Sequence, residues 1–224
     1  GTLVDGDIPI DFSAGIPGVN LAINGNINTY VGYAMGIGLG IGNISTNGTP
    51  QFGVFLDTSG INAAGEEIAL DVQAILETGF HAEGTLGFLK MEFDDVNEDG
   101  GSGLRGHLGL DMKDGNNDGQ WRLGESLSVV MNASAYAEAD LFARIATTAG
   151  DFLPSVTTTI RYDQQLADIS ISTSGPSKID IGSPNVVLEN VTLDVGSMFE
   201  SFLGDTFSTI YKIVKPLKPV VDLL

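Results

Sequence analysis

Residues 29–42 read TYVGYAMGIGLGIG. Val31, Tyr33, Met35, Ile37, Leu39 and Ile41 fall on one side, and Gly32, Ala34, Gly36, Gly38, Gly40 and Gly42 on the other. A repeat of two is the period of an extended strand, whose successive side chains point to opposite faces. One face is bulky and the other nearly bare, which permits close approach of another backbone or a tight bend. A strand of about 13 residues is far longer than the usual 5–6, so a large sheet is expected.

The same period extends along the chain. Residues 52–57 form a short strand ending in the turn Asp57-Thr-Ser-Gly60. Residues 67–78 alternate through Ile68, Leu70, Val72, Ala74 and Leu76. Residues 79–93 alternate and then change phase at Leu89, which predicts a bulge. Residues 104–112 alternate, and so do residues 127–145. The alanines at 133, 135, 137 and 139 offer a helix as the rival reading there. Polar Asn132, Ser134, Glu138 and Asp140 at the alternate positions favour a strand. Residues 155–162 and 167–172 read as a hairpin pair, and 186–195 as a last strand.

The end of the chain changes period. Ser197 and Glu200 have capping-box spacing, and Phe199, Phe202, Leu203, Phe207, Ile210 and Val214 follow at helical intervals. Lys212 and Lys215 suit a helix C-terminus, and Pro216 stops it. The expected fold is mainly β: a large twisted antiparallel sheet or sandwich of long strands, with one C-terminal amphipathic helix. Residues 1–195 form the β-rich module. Residues 196–224 form the helix and a Pro-punctuated apolar tail, packing on the sheet or linking to a next module.

Lys and Arg number 10 against 29 Asp and Glu, a net charge of −19. Phosphate backbones are repelled by such a surface, which argues against nucleic-acid partners, whereas bound cations relieve it. The chain has no cysteine and hence no disulfide or thiolate metal site. It has no run of apolar residues long enough for a transmembrane helix. It begins GTLVDGDIPI, without a secretory signal, and reads as an internal fragment. Residues 12–56 contain no charge at all, as expected of a central sheet region or of a surface that docks on a neighbour.

One segment carries metal chemistry. Asp114-Gly-Asn116-Asn-Asp118-Gly119-Gln120-Trp-Arg122-Leu-Gly-Glu125 matches the twelve-residue calcium loop D-x-[DN]-x-[DN]-G-x5-E at every fixed position. Calcium takes six to eight oxygens. Asp114, Asn116 and Asp118 would supply side-chain oxygens, Gln120 its carbonyl and Glu125 a bidentate carboxylate, while Gly119 makes the sharp turn. Arg122, at the ninth position, cannot ligate through its side chain, so a water is expected there. Trp121 would anchor the loop. A partial echo, Asp95-Val-Asn97-Glu-Asp99-Gly100, lacks the closing Glu. It would bind calcium weakly, borrow a carboxylate such as Asp94 or Asp111, or serve as a plain turn. Strand-like segments precede both loops, so a rigidifying role is expected rather than the helix opening of a calcium sensor.

Together, residues 52–60 (FGVFLDTSG), 84–91 (GTLGFLKM), 108–119 (LGLDMKDGNNDG), 123–125 (LGE) and 213–224 (IVKPLKPVVDLL) resemble a module repeated in giant secreted bacterial proteins of the hemolysin-type calcium-binding or adhesin-like kind. The resemblance covers roughly residues 50–224 and implies an extracellular, cell-surface calcium-binding module. Its partners would be neighbouring modules or identical subunits, and it names no adhesion ligand. The G-G-x-G-x-D nonapeptides of the related toxins are absent.

Catalytic signatures are missing: there is no G-x-S-x-G elbow, P-loop or H-E-x-x-H. His81 and His107 fall on polar positions of strands and read as solvent-facing. The expectation is a non-enzymatic structural or adhesive module, with a self-assembling fibre or layer subunit and an apolar-ligand carrier as alternatives.

Overall fold

A computed structural model describes residues 1–16, 19–46, 49–98, 100–148 and 152–215. The chain is mainly β, with a ten-stranded antiparallel sheet, a three-stranded sheet and one C-terminal helix. The strands are β1 (Thr2–Ile16), β2 (Val19–Met35), β3 (Gly38–Thr46), β4 (Thr49–Asp57), β5 (Ile68–Leu76), β6 (His81–Leu86) and β7 (Leu89–Asp95). They continue as β8 (Gly103–Asp114), β9 (Gln120–Arg122), β10 (Leu127–Thr147), β11 (Ser155–Ser172), β12 (Lys178–Asp180) and β13 (Asn185–Asp194), followed by α1 (Gly196–Val214).

The large sheet is a meander of very long columns. β1 pairs with β2 along nearly its whole length. The other edge of β2 is shared end to end by β6 and β5. These pair in turn with β7 and β8, which share one edge of β10. β11 follows β10, and β12 and β13 share the outer edge of β11. Two columns are therefore interrupted mid-sheet, one by residues 77–80 and its neighbour by residues 96–102. The alanine-rich segment is a strand: β10 pairs along both edges, and pairing satisfies its backbone as a helix would.

Three local expectations are corrected. The strand at 29–42 breaks at Gly36 and Ile37, where Gly36 N–H donates to Glu67 O at 2.8 Å and the Ile61 side chain takes the space a Cβ would need. The phase change after residue 86 is a two-residue hairpin turn rather than a bulge: Leu86 pairs with Leu89, and Gly87 has φ +62°. The stretch 155–172 is one strand rather than a hairpin. Its polar run absorbs one extra residue, Leu166, in a bulge where Ala135 pairs with Ala167 and Tyr136 with Gln165.

The capping box does not form either. The N-cap is Val195, Ser197 lies inside the helix, and Asp194 Oδ1 instead accepts from Gly196 N–H at 2.9 Å. Gly196 has φ +70°, and a Cβ there would meet the Phe152 and Leu153 carbonyls, so the chain turns into the helix on backbone geometry that suits glycine. Lys212 stands in the last turn of α1 and Lys215 at its C-cap. Pro216 and the tail to Leu224 lie outside the described residues. Phe199, Phe202, Leu203, Phe207, Ile210 and Tyr211 on the helix are all exposed.

The bare glycine face has occupants. On β4, the Phe55 ring lies across Gly40 of β3, and Tyr30 covers Gly32 within β2. Glycine thus makes room for aromatic rings on the same face of each sheet.

Paired residues share a face, so the register separates the two sides of the large sheet. One side carries Val31, Val72, Gly106, Ala135 and Ala167 in one transverse row, and Tyr33, Leu70, Leu108, Ala133 and Ile169 in the next. The other side carries Asp71, His107, Ser134 and Asp168 in line. Charge is gathered on one face and apolar surface on the other.

Candidate functional site

The calcium-type loop occupies a junction. It leaves β8 at Asp114 and re-enters the large sheet at Leu127, the residue paired with Asp114. Between them, β9 crosses to the small sheet and pairs with β4 through Phe55–Arg122, Leu56–Trp121 and Asp57–Gln120. Thr58 N–H adds a hydrogen bond to Gly119 O at 2.9 Å. The loop therefore clamps the three-stranded sheet to the end of the ten-stranded one.

Its backbone coils as the spacing requires. Gly119 has φ +80° at the sharp turn, and Asn117 has φ +58°. Asp114 is buried, and its Oδ2 accepts from Gln120 N–H at 2.9 Å. Asn116 Oδ1 accepts from Asp118 N–H at 3.0 Å, and Asp118 Oδ1 from Gln120 N–H at 3.0 Å. Asn116 Nδ2 reaches Asp118 Oδ2 at 3.2 Å and Glu125 Oε1 at 3.3 Å. Glu125 Oε2 accepts from Arg122 N–H at 3.0 Å, and Trp121 Nε1 donates to Glu125 O at 3.0 Å. Trp121 thus holds the closing glutamate in place.

Arg122 supplies what the motif did not reveal. Its Nη1 lies 2.6 Å from Asp118 Oδ2, 3.4 Å from Gln120 O and 3.4 Å from Glu125 Oε1. Its Nη2 donates to Gln120 Oε1 at 2.7 Å. Three of the five residues chosen as calcium ligands thus converge on one cationic nitrogen. The guanidinium holds the Asp118 carboxyl below its ordinary range, and the carboxylates raise the arginine in return. Among the described residues no group of three or more His, Cys, Asp or Glu is spaced to hold a metal ion. The donor chemistry still fits a hard cation, because the oxygens nearest Arg122 Nη1 are two carboxylates and one backbone carbonyl. For calcium to take that point, the Arg122 side chain has to leave it.

The second loop is also closed by its own chain. Asp95 Oδ1 accepts from Ser102 Oγ at 2.6 Å and from Asn97 N–H at 3.2 Å, and its Oδ2 accepts from Ser102 N–H at 3.2 Å. Arg105 Nη2 donates to the carbonyls of Gly100 and Gly101, both at 3.0 Å, while Nη1 pairs with Glu138. Asp99 lies outside the described residues. Neither carboxylate offered for closure joins this loop. Asp94 bonds His81 at 2.6 Å. Asp111 lies eight residues along β8 from Gly103, about 26 Å at the strand rise. The two loops differ in their approaches as well. The chain reaches the second loop through the Gly87 hairpin and β7, and the first along β8, where Gly109 sits mid-strand beside the Glu66 side chain.

Beside the first loop lies a small buried acidic group that the sequence did not flag. Glu67 is 1% exposed; its Oε2 accepts from Met112 N–H at 2.6 Å and its Oε1 has no partner. Burial raises its carboxyl above the ordinary value. Neighbouring Glu66 meets His107 Nε2 at 3.1 Å and Asn62 Nδ2 at 2.8 Å, and His107 Nδ1 lies 2.8 Å from Asp71. The partner signal was the alternation itself, which puts His107 and Asp71 opposite one another.

This cluster sets a pH dependence. Asp71, and then Glu66, raise the His107 imidazole above 6.5. Its contribution is complete below that unfolded value and is lost as pH rises through the higher folded one. Burial pushes the Glu66 carboxyl up, but hydrogen bonds from Asn62 and His107 outweigh it and leave the group below 4.5. That contribution is present above 4.5 and is lost as pH falls through the folded value. Both act together between 4.5 and 6.5. His107→Gln is expected to cost about 1 kcal/mol at pH 6, a figure discounted for the partial exposure of the imidazole, and less at pH 9. Urea melts of both proteins at the two pH values check this; an equal cost at both would remove the ionic contribution.

On the polar face, an open groove of about 870 Å³ runs over β1, β2 and β5 to the 96–102 loop, lined by Asp5, Asp7, Tyr30, Gln73 and Glu98 among others. It is acidic and shallow. No family model, curated protein or solved structure matches the chain. No described helix is long and apolar enough to cross a membrane.

Proposed function

We propose that the chain is a calcium-stabilised structural or adhesive module of a large extracellular bacterial protein, with no catalytic role. The convergence of Asp118, Gln120 and Glu125 on one cationic point at the junction of two sheets carries this reading. A cation there neutralises carboxylates that would otherwise repel, and it fixes the small sheet to the large one. In the cell the loop would meet calcium outside the cytoplasm, where millimolar levels match the 10⁻⁴–10⁻³ M affinities typical of extracellular modules.

Calcium supplies charge neutralisation and a fixed oxygen shell when bound. The chain's own residues do the rest: Gly119 makes the turn, Trp121 holds the Glu125 backbone, and β9 transmits the closure to β4. Thermal unfolding with calcium and with EDTA tests the proposal. Calcium at about 100-fold over its dissociation constant stabilises by roughly 2.7 kcal/mol, or about 5–10 °C for a chain of this size. Asp118→Ala and Glu125→Ala should each abolish that gain. No calcium response in the parent chain would overturn the reading.

A further inference from the structure

We infer that the apolar face of the ten-stranded sheet is covered by the same face of a second copy of this chain, giving a two-fold symmetric sandwich. The inference is independent of the calcium loop.

The observation is a core that the chain does not complete. Buried apolar side chains among the described residues are Ala69, Phe80, Ala82, Ala143 and Ala146 alone. In the middle of the sheet, where side chains are normally most enclosed, Val72 is 42% exposed and Leu104 49%. The chain exposes 14462 Å². A compact protein of 23.4 kDa would expose about 9,700 Å². A sheet with one apolar face must bury it against another layer.

Area decides which layer. Seven columns about 4.8 Å apart and about 50 Å long make a face of roughly 1,500 Å². Helix α1, with 19 residues, is about 28 Å long and 10 Å wide, and it covers less than a fifth of that. A second sheet of equal size covers all of it. Two such faces bury roughly 3,000 Å², within the 2,000–5,000 Å² of obligate dimers.

Charge and shape favour a like partner. The rows Val31–Val72–Gly106–Ala135 and Tyr33–Leu70–Leu108–Ala133 carry no charge, so two copies meet there without opposing their −19 charges. At the centre a 220 Å³ depression is lined by Val72, Ala74, Leu104, Gly106, Ala135 and Leu166. Small residues flanked by large ones suit interdigitation of two inner faces about 10 Å apart, with strands crossing at about 30°.

Sedimentation of the 224-residue chain at micromolar concentration should give twice the chain mass. Leu104→Glu with Leu108→Glu should halve it while the strand signal in circular dichroism persists, since both positions are exposed in one copy. Because that variant could unfold, single cysteines provide a second measurement in a chain that has none. Val72→Cys, Leu104→Cys and Ala135→Cys, made singly, should include at least one that forms an intermolecular disulfide, and Ser134→Cys on the polar face should form none. A folded monomeric parent, a monomer with co-purified lipid, or an assembly whose mass ignores the face variants would each overturn the inference.

Discussion

Arg122→Gln is expected to lower the thermal midpoint by roughly 5 °C in EDTA and by far less in millimolar calcium. Without a divalent ion, the guanidinium is the cation that Asp118 Oδ2 and Glu125 Oε1 share. Gln restores some hydrogen bonding but none of the charge, so Asp114, Asp118 and Glu125 are left to repel one another. Calcium neutralises the same oxygens, and it no longer competes with a tethered positive charge. Calcium affinity should therefore rise in the variant even as apo stability falls. Calorimetric titration beside the melting curves reads both. A midpoint loss that calcium leaves unchanged would make Arg122 a purely structural residue and would separate it from any metal site.

The second large effect is expected at Gly103. This residue opens β8 opposite Ile75, straight after the 96–102 loop. A Cβ there would meet the Ala74 carbonyl oxygen and lie 2.7 Å from Ile75 Cα. These are backbone atoms in a paired column and cannot rotate away. Gly103→Ala should cost about 3 kcal/mol, the upper end for overpacking, and lower the midpoint by about 6–12 °C. Gly6→Ala on β1, where a Cβ meets nothing within 4 Å, is the matched control and should be near neutral. Equal melting of the two variants would show that β5 and β8 can part without cost.

Most strands were legible because their faces differ. Where side chains alternate apolar and polar, as in residues 67–78 and 127–145, period two sets both the element and the side that is apolar. The calcium-type loop was legible because its oxygens must recur at fixed spacing around one point. Less legible were the places where a neighbour decides. Gly36 ends β2 because Glu67 and Ile61 meet it, and both come from segments distant in sequence. The run Asp163-Gln-Gln-Leu166 reads as a turn, yet β10 lies alongside and holds it extended. The Ser197 cap does not form because Gly196, at positive φ, begins the helix two residues early, with Val195 as N-cap.

By itself, the sequence determined a mainly β chain of long antiparallel strands, a terminal amphipathic helix and one acidic loop of calcium spacing. All three rest on local periodicity, which no distant contact is needed to create. Only the tertiary structure decided that the strands join into one wide meander with a polar and an apolar side. It also placed the acidic loop at the joint between two sheets and brought Arg122 to its centre. Those outcomes depend on register and on which columns meet. They are set by pairings across tens of residues, where local alternation allows several partners and the backbone's need for hydrogen bonds selects among them.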